Sequence, residues 1–350
     1  MLYDALIVGQ GIAGSLLAWQ MLDSGKSVLI VDNHHEGSST RVSGGLINPL
    51  TGQRLVITPQ YDLFYTQANA LYAELASVCG KKFIEHKPII RIFKNNEEKE
   101  RCKELMQKPA FALYFKSLAL PGALGKSFID LFGSVEITSG GHCYATALLE
   151  SLREYFLSKK MLITGFVKSD DLTIKNDHVD FKGSSFKQVI FCEGFQAHAN
   201  HFFEHLPYNH VKGEVLQVKI DAANLPDAIF CQSKWLIPLE SGLWLAGSNY
   251  NRQEYNVTPT PEAAYEILQG LRQFVSSDIS IHAHHAGVRP VVLDQMPVIG
   301  MHPKHPAIGI FNGFGSKGFL MVPFFAKLLA NHLNGIGNIP KEVDIKRFKC

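Results

Sequence analysis

Apolar residues run unbroken from Ala5 to Val8 and stop at Gly9, the pattern of a short strand covered on both faces of a parallel sheet. Beyond the turn, Ile12, Leu16, Leu17, Trp19 and Leu22 recur at helical spacing. Gly25 ends that helix, and Ser27 to Val31 reads as a second parallel strand. Residues 60–79 again show helical spacing, and 142–157 predict an amphipathic helix after the Gly140, Gly141 pair. The charge-rich stretch 93–106 is expected to be an exposed helix or loop with a solvated face. At 172–181 the pattern changes to alternation on both sides of Asn176 and Asp177, which predicts a hairpin, and QVIFC at 188–192 follows as a strand. Three strand-like runs between 211 and 250, EVLQVKI, KWLIPL and GLWLAGSNY, suit a separate antiparallel sheet. Near the C-terminus the strand IGIFN leads through GFGSKG into the helix FLMVPFFAKLLANHL, where Pro323 is expected to kink the early turns.

These elements place the chain in the α/β class: a Rossmann-like dinucleotide-binding fold with an antiparallel appendage, joined to a mainly antiparallel substrate domain. A chain of 350 residues exceeds one ordinary core, so two interleaved lobes around a cleft are expected. Segments 1–75, 140–205 and 285–350 would form the nucleotide lobe, and 76–139 and 206–284 the substrate lobe. A net charge of +2, with 19% charged residues, provides no broad field for nucleic acid or anionic membrane, so neither is an expected partner. Cys79, Cys102, Cys143, Cys192, Cys231 and Cys350 stand far apart, without the pairings of a disulfide framework or structural zinc. No basic leader precedes the first apolar run and Gly9 breaks it, so neither signal peptide nor membrane span is expected, and the cytoplasm is the default location.

The hexad GQGIAG sits between the first strand and helix, which gives its glycines distinct tasks. Gly9 permits the tight turn, Gly11 lets a pyrophosphate approach the backbone, and Gly14 lets helix pack on strand, while the helix start stabilises the anion. Ile12 and Ala13 lie in the same phosphate-facing turn. Asp32 closes the next strand, where a carboxylate accepts hydrogen bonds from ribose hydroxyls and repels a 2′-phosphate. The same glycine spacing recurs at Gly313, Gly315 and Gly318, with Ser316 and Lys317 between, but too few residues follow for another βαβ unit. A second helix start with bare amides can instead face the anionic edge of a reduced isoalloxazine, which favours FAD over a nicotinamide cofactor.

The chain resembles the D-amino-acid oxidase superfamily of FAD-dependent oxidoreductases, and within it the glycine and sarcosine oxidases and the FAD domain of the bifunctional tRNA wobble-uridine modification enzyme. The resemblance covers nearly the whole chain. It rests on GQGIAG with Asp32, GSSTRVSGGLINP at 37–49, SGGHCYATALLESL at 139–152, VIFCEG at 189–194 with Glu193 and Gly194, GVRPVVLDQMPVIG at 287–300, and GFGSKG. It implies that Ser39, Thr40 and Arg41 bind the pyrophosphate and ribityl region, that Gly45 and Leu46 lie against the isoalloxazine, and that Val167 meets adenine through its backbone. It also implies that Arg289 pairs with a substrate carboxylate, a task a planar guanidinium performs bidentately. An ion pair of Arg289 with Asp294 or another acid is the competing structural role. The implied reaction moves a hydride equivalent from the carbon beside an amine nitrogen to the flavin N5 and leaves an imine for water to hydrolyse. No general base is assigned, because desolvation alone can supply a neutral amine.

Two departures from the family pattern stand out. The strand SGLWLAGSNY offers Trp244 where sarcosine oxidases carry a lysine that assists oxygen, so oxygen loses that support as the electron acceptor. His285 occupies a position where relatives often carry tryptophan, which points to a different substrate specificity. His282, His284 and His285 are expected to be strand-end residues rather than metal ligands, and His34 and His35 to be loop residues. No cysteine follows GVRP where some relatives tether the flavin, so noncovalent FAD is expected. Three alternatives differ in chemistry: demodification of a carboxymethylaminomethyl-uridine in tRNA, a flavin-containing binding or assembly protein without turnover, and a nicotinamide-dependent dehydrogenase.

Overall fold

The computed structural model describes residues 1–35, 37–222 and 225–348; Cys350 lies outside them. Strands β1 (Leu2–Val8), β2 (Val28–Asp32), β3 (Ser184–Phe191), β4 (Val211–Ile220), β5 (Ile279–Arg289) and β6 (His305–Asn312), with helices α1 (Ile12–Asp23), α2 (Ala145–Ser158) and α3 (Gly318–Leu333), place the site. The run from Ala5 to Val8 is buried as its pattern predicts, because parallel neighbours flank β1 on both edges: β2 on one side and β3 on the other. Strand Leu162–Thr164 extends the sheet beyond β2, and β6 pairs in parallel with β3. The hairpin at Asn176 and Asp177 adds Thr173–Ile174 and Val179–Phe181 to the outer edge of β3 as the antiparallel appendage.

The second large sheet has eight strands drawn from 89–137 and 211–289. All its pairings are antiparallel except that of Ile229–Cys231 with Ile89–Ile92. Strand β5 pairs with β4 from Ile279 opposite Ile220 to Arg289 opposite Val211, with a bulge at Gln217/Val218. It therefore crosses position 285 unbroken, because the ladder to β4 continues to Arg289. The three runs anticipated between 211 and 250 are strands of this sheet, and Ile89–Ile92, Phe115–Ala119, Ser134–Ile137 and Ile229–Cys231 join them and β5 to complete it.

Helix α3 stays continuous through Pro323. Proline lacks the N–H that would satisfy the Phe319 carbonyl four residues earlier, and the Tyr72 hydroxyl supplies the hydrogen bond instead, at 2.7 Å. The charge-rich stretch forms a helix at Asn96–Met106, capped by the Asn95 side chain accepting the Glu98 N–H at 2.9 Å. Glu98 departs from the solvated face expected of it: it is buried against Arg91, whose Nε donates to it at 2.8 Å. Among the described residues no helix is long and apolar enough to cross a membrane.

Candidate active site

A cleft of about 660 Å³ is lined from both sheets, within the range of small-molecule and cofactor sites. At one end the backbone does most of the construction. Gly9 has φ +99°, and a Cβ there would lie 2.6 Å from the Cys192 carbonyl oxygen. A Cβ on Gly14 would lie 1.8 Å from the Gly9 carbonyl oxygen, so helix and turn touch with no room for a side chain. Neither α1 nor α3 has a side-chain cap or an acidic residue in its first turn. Gly11, Ile12 and Ala13 line the cleft at one helix start, and Gly315, Ser316, Lys317 and Gly318 at the other. The two starts are adjacent, since a Cβ on Gly318 would meet Ile12 Cγ2 at 3.5 Å. Gly14 and Gly313 are not among the lining residues and serve packing and the turn instead.

Asp32 lines the same end, already held by three donors. Its Oδ2 accepts the Gln10 N–H at 2.8 Å, and its Oδ1 accepts the His34 N–H at 2.7 Å and Arg153 Nη1 at 3.0 Å. Arg153 is buried on α2 and also reaches Gln10 Oε1 and Thr164 Oγ1. A carboxylate has about four lone-pair positions, so Asp32 retains capacity for a hydroxyl. Ser39, Thr40, Gly45, Leu46, Val167, Glu193 and Gly194 also line the cleft, and Thr40 Oγ1 accepts the Ile12 N–H at 3.2 Å. Arg41 does not: its guanidinium turns away to Glu150 on α2, which His34 also approaches at 3.2 Å. Burial pushes the Glu193 carboxyl up to about 7, partly offset by the Asn200 amide that donates to it. Two helix starts without an N-cap side chain, a carboxylate closing β2 and glycines that exclude side chains fit the pyrophosphate and ribose of FAD.

At the other end the site is made of side chains brought together across strands. Arg289 closes β5, and its guanidinium lies flat over Gly213 on β4, where a Cβ would be 2.2 Å from Nη2. Nη2 donates to Ser248 Oγ at 2.7 Å, the Tyr250 ring lies 4.6 Å from Cζ, and the buried Nη1 has no partner. Among the described residues no carboxylate lies within 4 Å of Arg289, and Asp294 is instead paired with Arg347 at 2.8 Å. Burial draws the Arg289 pKa down, opposed only in part by the neighbouring Tyr250 hydroxyl. Gly287 brings GVRP against the Ser39 segment: a Cβ there would meet Val42 Cβ at 3.2 Å and Ser39 Cα at 3.3 Å.

Gly213, Ser248, Tyr250, Trp235 and Lys234 all line this end and carry no local motif. Tyr250 alone carries a hint, as the polar-tipped aromatic closing GLWLAGSNY. Trp244 is in the core and does not line the cleft; Lys234 does, bonded to the Ser248 carbonyl at 3.0 Å and Glu266 at 2.6 Å. Lys317 lines the cleft with its pKa lowered by burial. His284 lies 2.9 Å from Glu214, and His282 and His285 are exposed.

Residues 4–332 match the family described as DAO: FAD dependent oxidoreductase. The chain is 32% identical over 135 residues to the tRNA 5-methylaminomethyl-2-thiouridine biosynthesis bifunctional protein MnmC of Marinobacter nauticus, covering 35% of this chain and 21% of that protein. It is 24% identical to a glycine oxidase of Pseudomonas putida over 95% of this chain and 94% of that protein. Among solved structures it is similar to glycine oxidase from Bacillus cereus, with a TM-score of 0.79 and 21% identity over 95% of each chain.

Proposed function

The chain belongs to the DAO family of FAD-dependent oxidoreductases, and on that premise we propose that it oxidises the C–N bond of a small amino acid or secondary amine bearing a carboxylate. The observation that supports this most directly is Arg289: a guanidinium inside the cleft, one nitrogen bonded to Ser248, the other unpartnered, and no carboxylate in reach among the described residues. A buried cation without a counter-ion is costly, and a substrate carboxylate removes that cost.

When bound, FAD supplies the acceptor for a hydride equivalent, leaving an imine that water hydrolyses. The chain's own residues bind and orient. Arg289 holds the carboxylate, Ser248 and Gly213 fix the plane of the guanidinium, and Tyr250 covers its face. The carboxylates lining the cleft, Asp32 and Glu193, both stand at strand ends of the first sheet, so desolvation of the substrate ammonium takes the place of an assigned base. The amides at Gly11, Ile12 and Ala13, with Ser39 and Thr40, would hold the pyrophosphate, Asp32 a ribose hydroxyl and Val167 the adenine. Gly45, Leu46 and the Gly315–Gly318 turn with Lys317 would hold the isoalloxazine, and Glu193 and Gly194 would border the pyrophosphate. Attachment is noncovalent, so acid precipitation should strip the yellow colour from the protein. In this reading 1–75, 140–205 and 285–350 serve the cofactor, apart from the β5 end with Arg289, which serves the substrate together with 76–139 and 206–284.

Small amines and amino acids added anaerobically should bleach the bound flavin, and Arg289→Leu should raise KM for a carboxylate substrate about tenfold or more. A flavin that stays oxidised with every candidate, or an unchanged KM, overturns the reading. A second substrate is favoured by the likeness to the MnmC protein: an aminomethyl-uridine in tRNA whose substituent also ends in a carboxylate. Retardation of tRNA by the protein at moderate salt tests it.

A further inference from the structure

Residues 249–260 form an irregular strap, exposed along most of its length, that reaches the cleft at Tyr250. Its anchors are buried. Lys212, with no solvent exposure, donates through Nζ to Asn256 Oδ1 at 2.9 Å and Glu254 Oε2 at 3.1 Å, and lies 3.5 Å from Glu214 Oε1. The Lys212 and Asn251 backbones exchange hydrogen bonds at 2.8 and 3.0 Å. Glu214, 1% exposed, accepts the Thr260 N–H at 2.8 Å and the Thr260 hydroxyl at 2.9 Å, while its own N–H donates to Asn249 Oδ1 at 2.7 Å. All these ties converge on the two residues that flank Gly213, against which the Arg289 guanidinium lies.

The strap also touches the cofactor half. The Tyr255 ring lies 6.3 Å from that of His198, and Val257 fills the space above Gly37, where a Cβ would be 2.8 Å away. Between these anchors Tyr250 lies on Arg289. A fully buried lysine is a poor device for stability alone, because desolvating its charge offsets what its partners return. Its value is geometric, since the partners fix one position for the strap.

We propose that Lys212 and Glu214 are positioning residues that hold the strap 249–260 so that Tyr250 and Arg289 form a preset seat for the substrate carboxylate. The proposal rests on the Arg289 reading above. A loosened strap leaves Arg289 in place but without its cover, so carboxylate affinity falls while the oxidation step itself changes little.

The test uses the FAD-loaded full chain, with acetate as the probe, titrated by the change it causes in the flavin spectrum. Lys212→Met, and the strap-side double variant Glu254→Ala with Asn256→Ala, should each weaken acetate binding about tenfold and speed tryptic cleavage after the exposed Arg252 about as much. KM for the amine should rise in parallel, with kcat within about twofold. The double variant changes exposed side chains, so it remains informative if Lys212→Met does not fold. Wild-type acetate affinity in the double variant, while Arg289→Leu abolishes binding, overturns the strap's role and leaves the Arg289 reading standing. Acetate bound equally well by Arg289→Leu, or not bound by the wild type, overturns the carboxylate reading and the seat with it.

Discussion

The two ends of the cleft are built in different ways. At the end formed by β1, β2 and the starts of α1 and α3, shape comes from the backbone, from glycines with no room for a Cβ and from helix starts whose N-cap residues make no side-chain cap. At the Arg289 end it comes from side chains on two separate segments, the guanidinium at the end of β5 and a hydroxyl and a ring from 248–250, meeting over one glycine of β4. A site of backbone tolerates almost no substitution at its glycines. A site of side chains can be retuned one residue at a time.

The largest effect should follow from Gly14→Ala, whose Cβ would sit 1.8 Å from the Gly9 carbonyl oxygen. Helix α1 must move off the turn, and FAD affinity should fall about a hundredfold or more, read by fluorescence titration of the apoprotein. Gly213→Ala is the matching change at the other end, since its Cβ would meet Arg289 Nη2 at 2.2 Å. The guanidinium is the free end of a long side chain and can swing away. KM for a carboxylate substrate should rise about tenfold while FAD affinity stays within about twofold of wild type. If Gly213→Ala also released FAD, the two ends would not be separable.

The backbone end is legible in the sequence because its requirements are local. GQGIAG and GFGSKG each state a turn and a helix start within six residues, and Asp32 follows at a fixed distance. Arg289 is reached only through the order of motifs along the chain, not through any spacing. Gly213, Ser248 and Tyr250 escape the sequence, because what selects them is register: the pairing of Gly213 with Gly287 brings the β5 terminus over β4. Arg41 shows the converse case. Its surroundings suit a phosphate, but α2 presents Glu150 to it from more than a hundred residues away, which no local pattern signals. Lengths are more legible than environments: the 93–106 stretch is a helix, but Glu98 turns inward to Arg91.

Two smaller effects sharpen the contrast within the cofactor half. Tyr72→Phe removes the hydroxyl that donates to the Phe319 carbonyl and should destabilise the protein by about 1–2 kcal/mol, read by chemical denaturation. Pro323→Ala restores the helical N–H and should make Tyr72→Phe nearly neutral. Glu193 is the side-chain exception at this end. Its folded pKa is raised from 4.5 to about 7, so its protonated form is favoured on folding, and its contribution to stability is present below 4.5 and lost as pH rises through about 7. Between those values the wild-type Tm should decline more steeply than that of Glu193→Gln, by about a few degrees. Parallel Tm profiles would show that Glu193 titrates alike in both states.

The contact between the two helix starts, Ile12 on α1 and Gly318 on α3, joins residues that leave the ribosome far apart in time. Asp32 likewise waits for Arg153 before its carboxylate is balanced. A nascent chain carrying only the first strand, helix and strand therefore presents the phosphate turn without its opposing wall. On the proposed cofactor reading, truncations that spare the whole glycine motif should still emerge colourless.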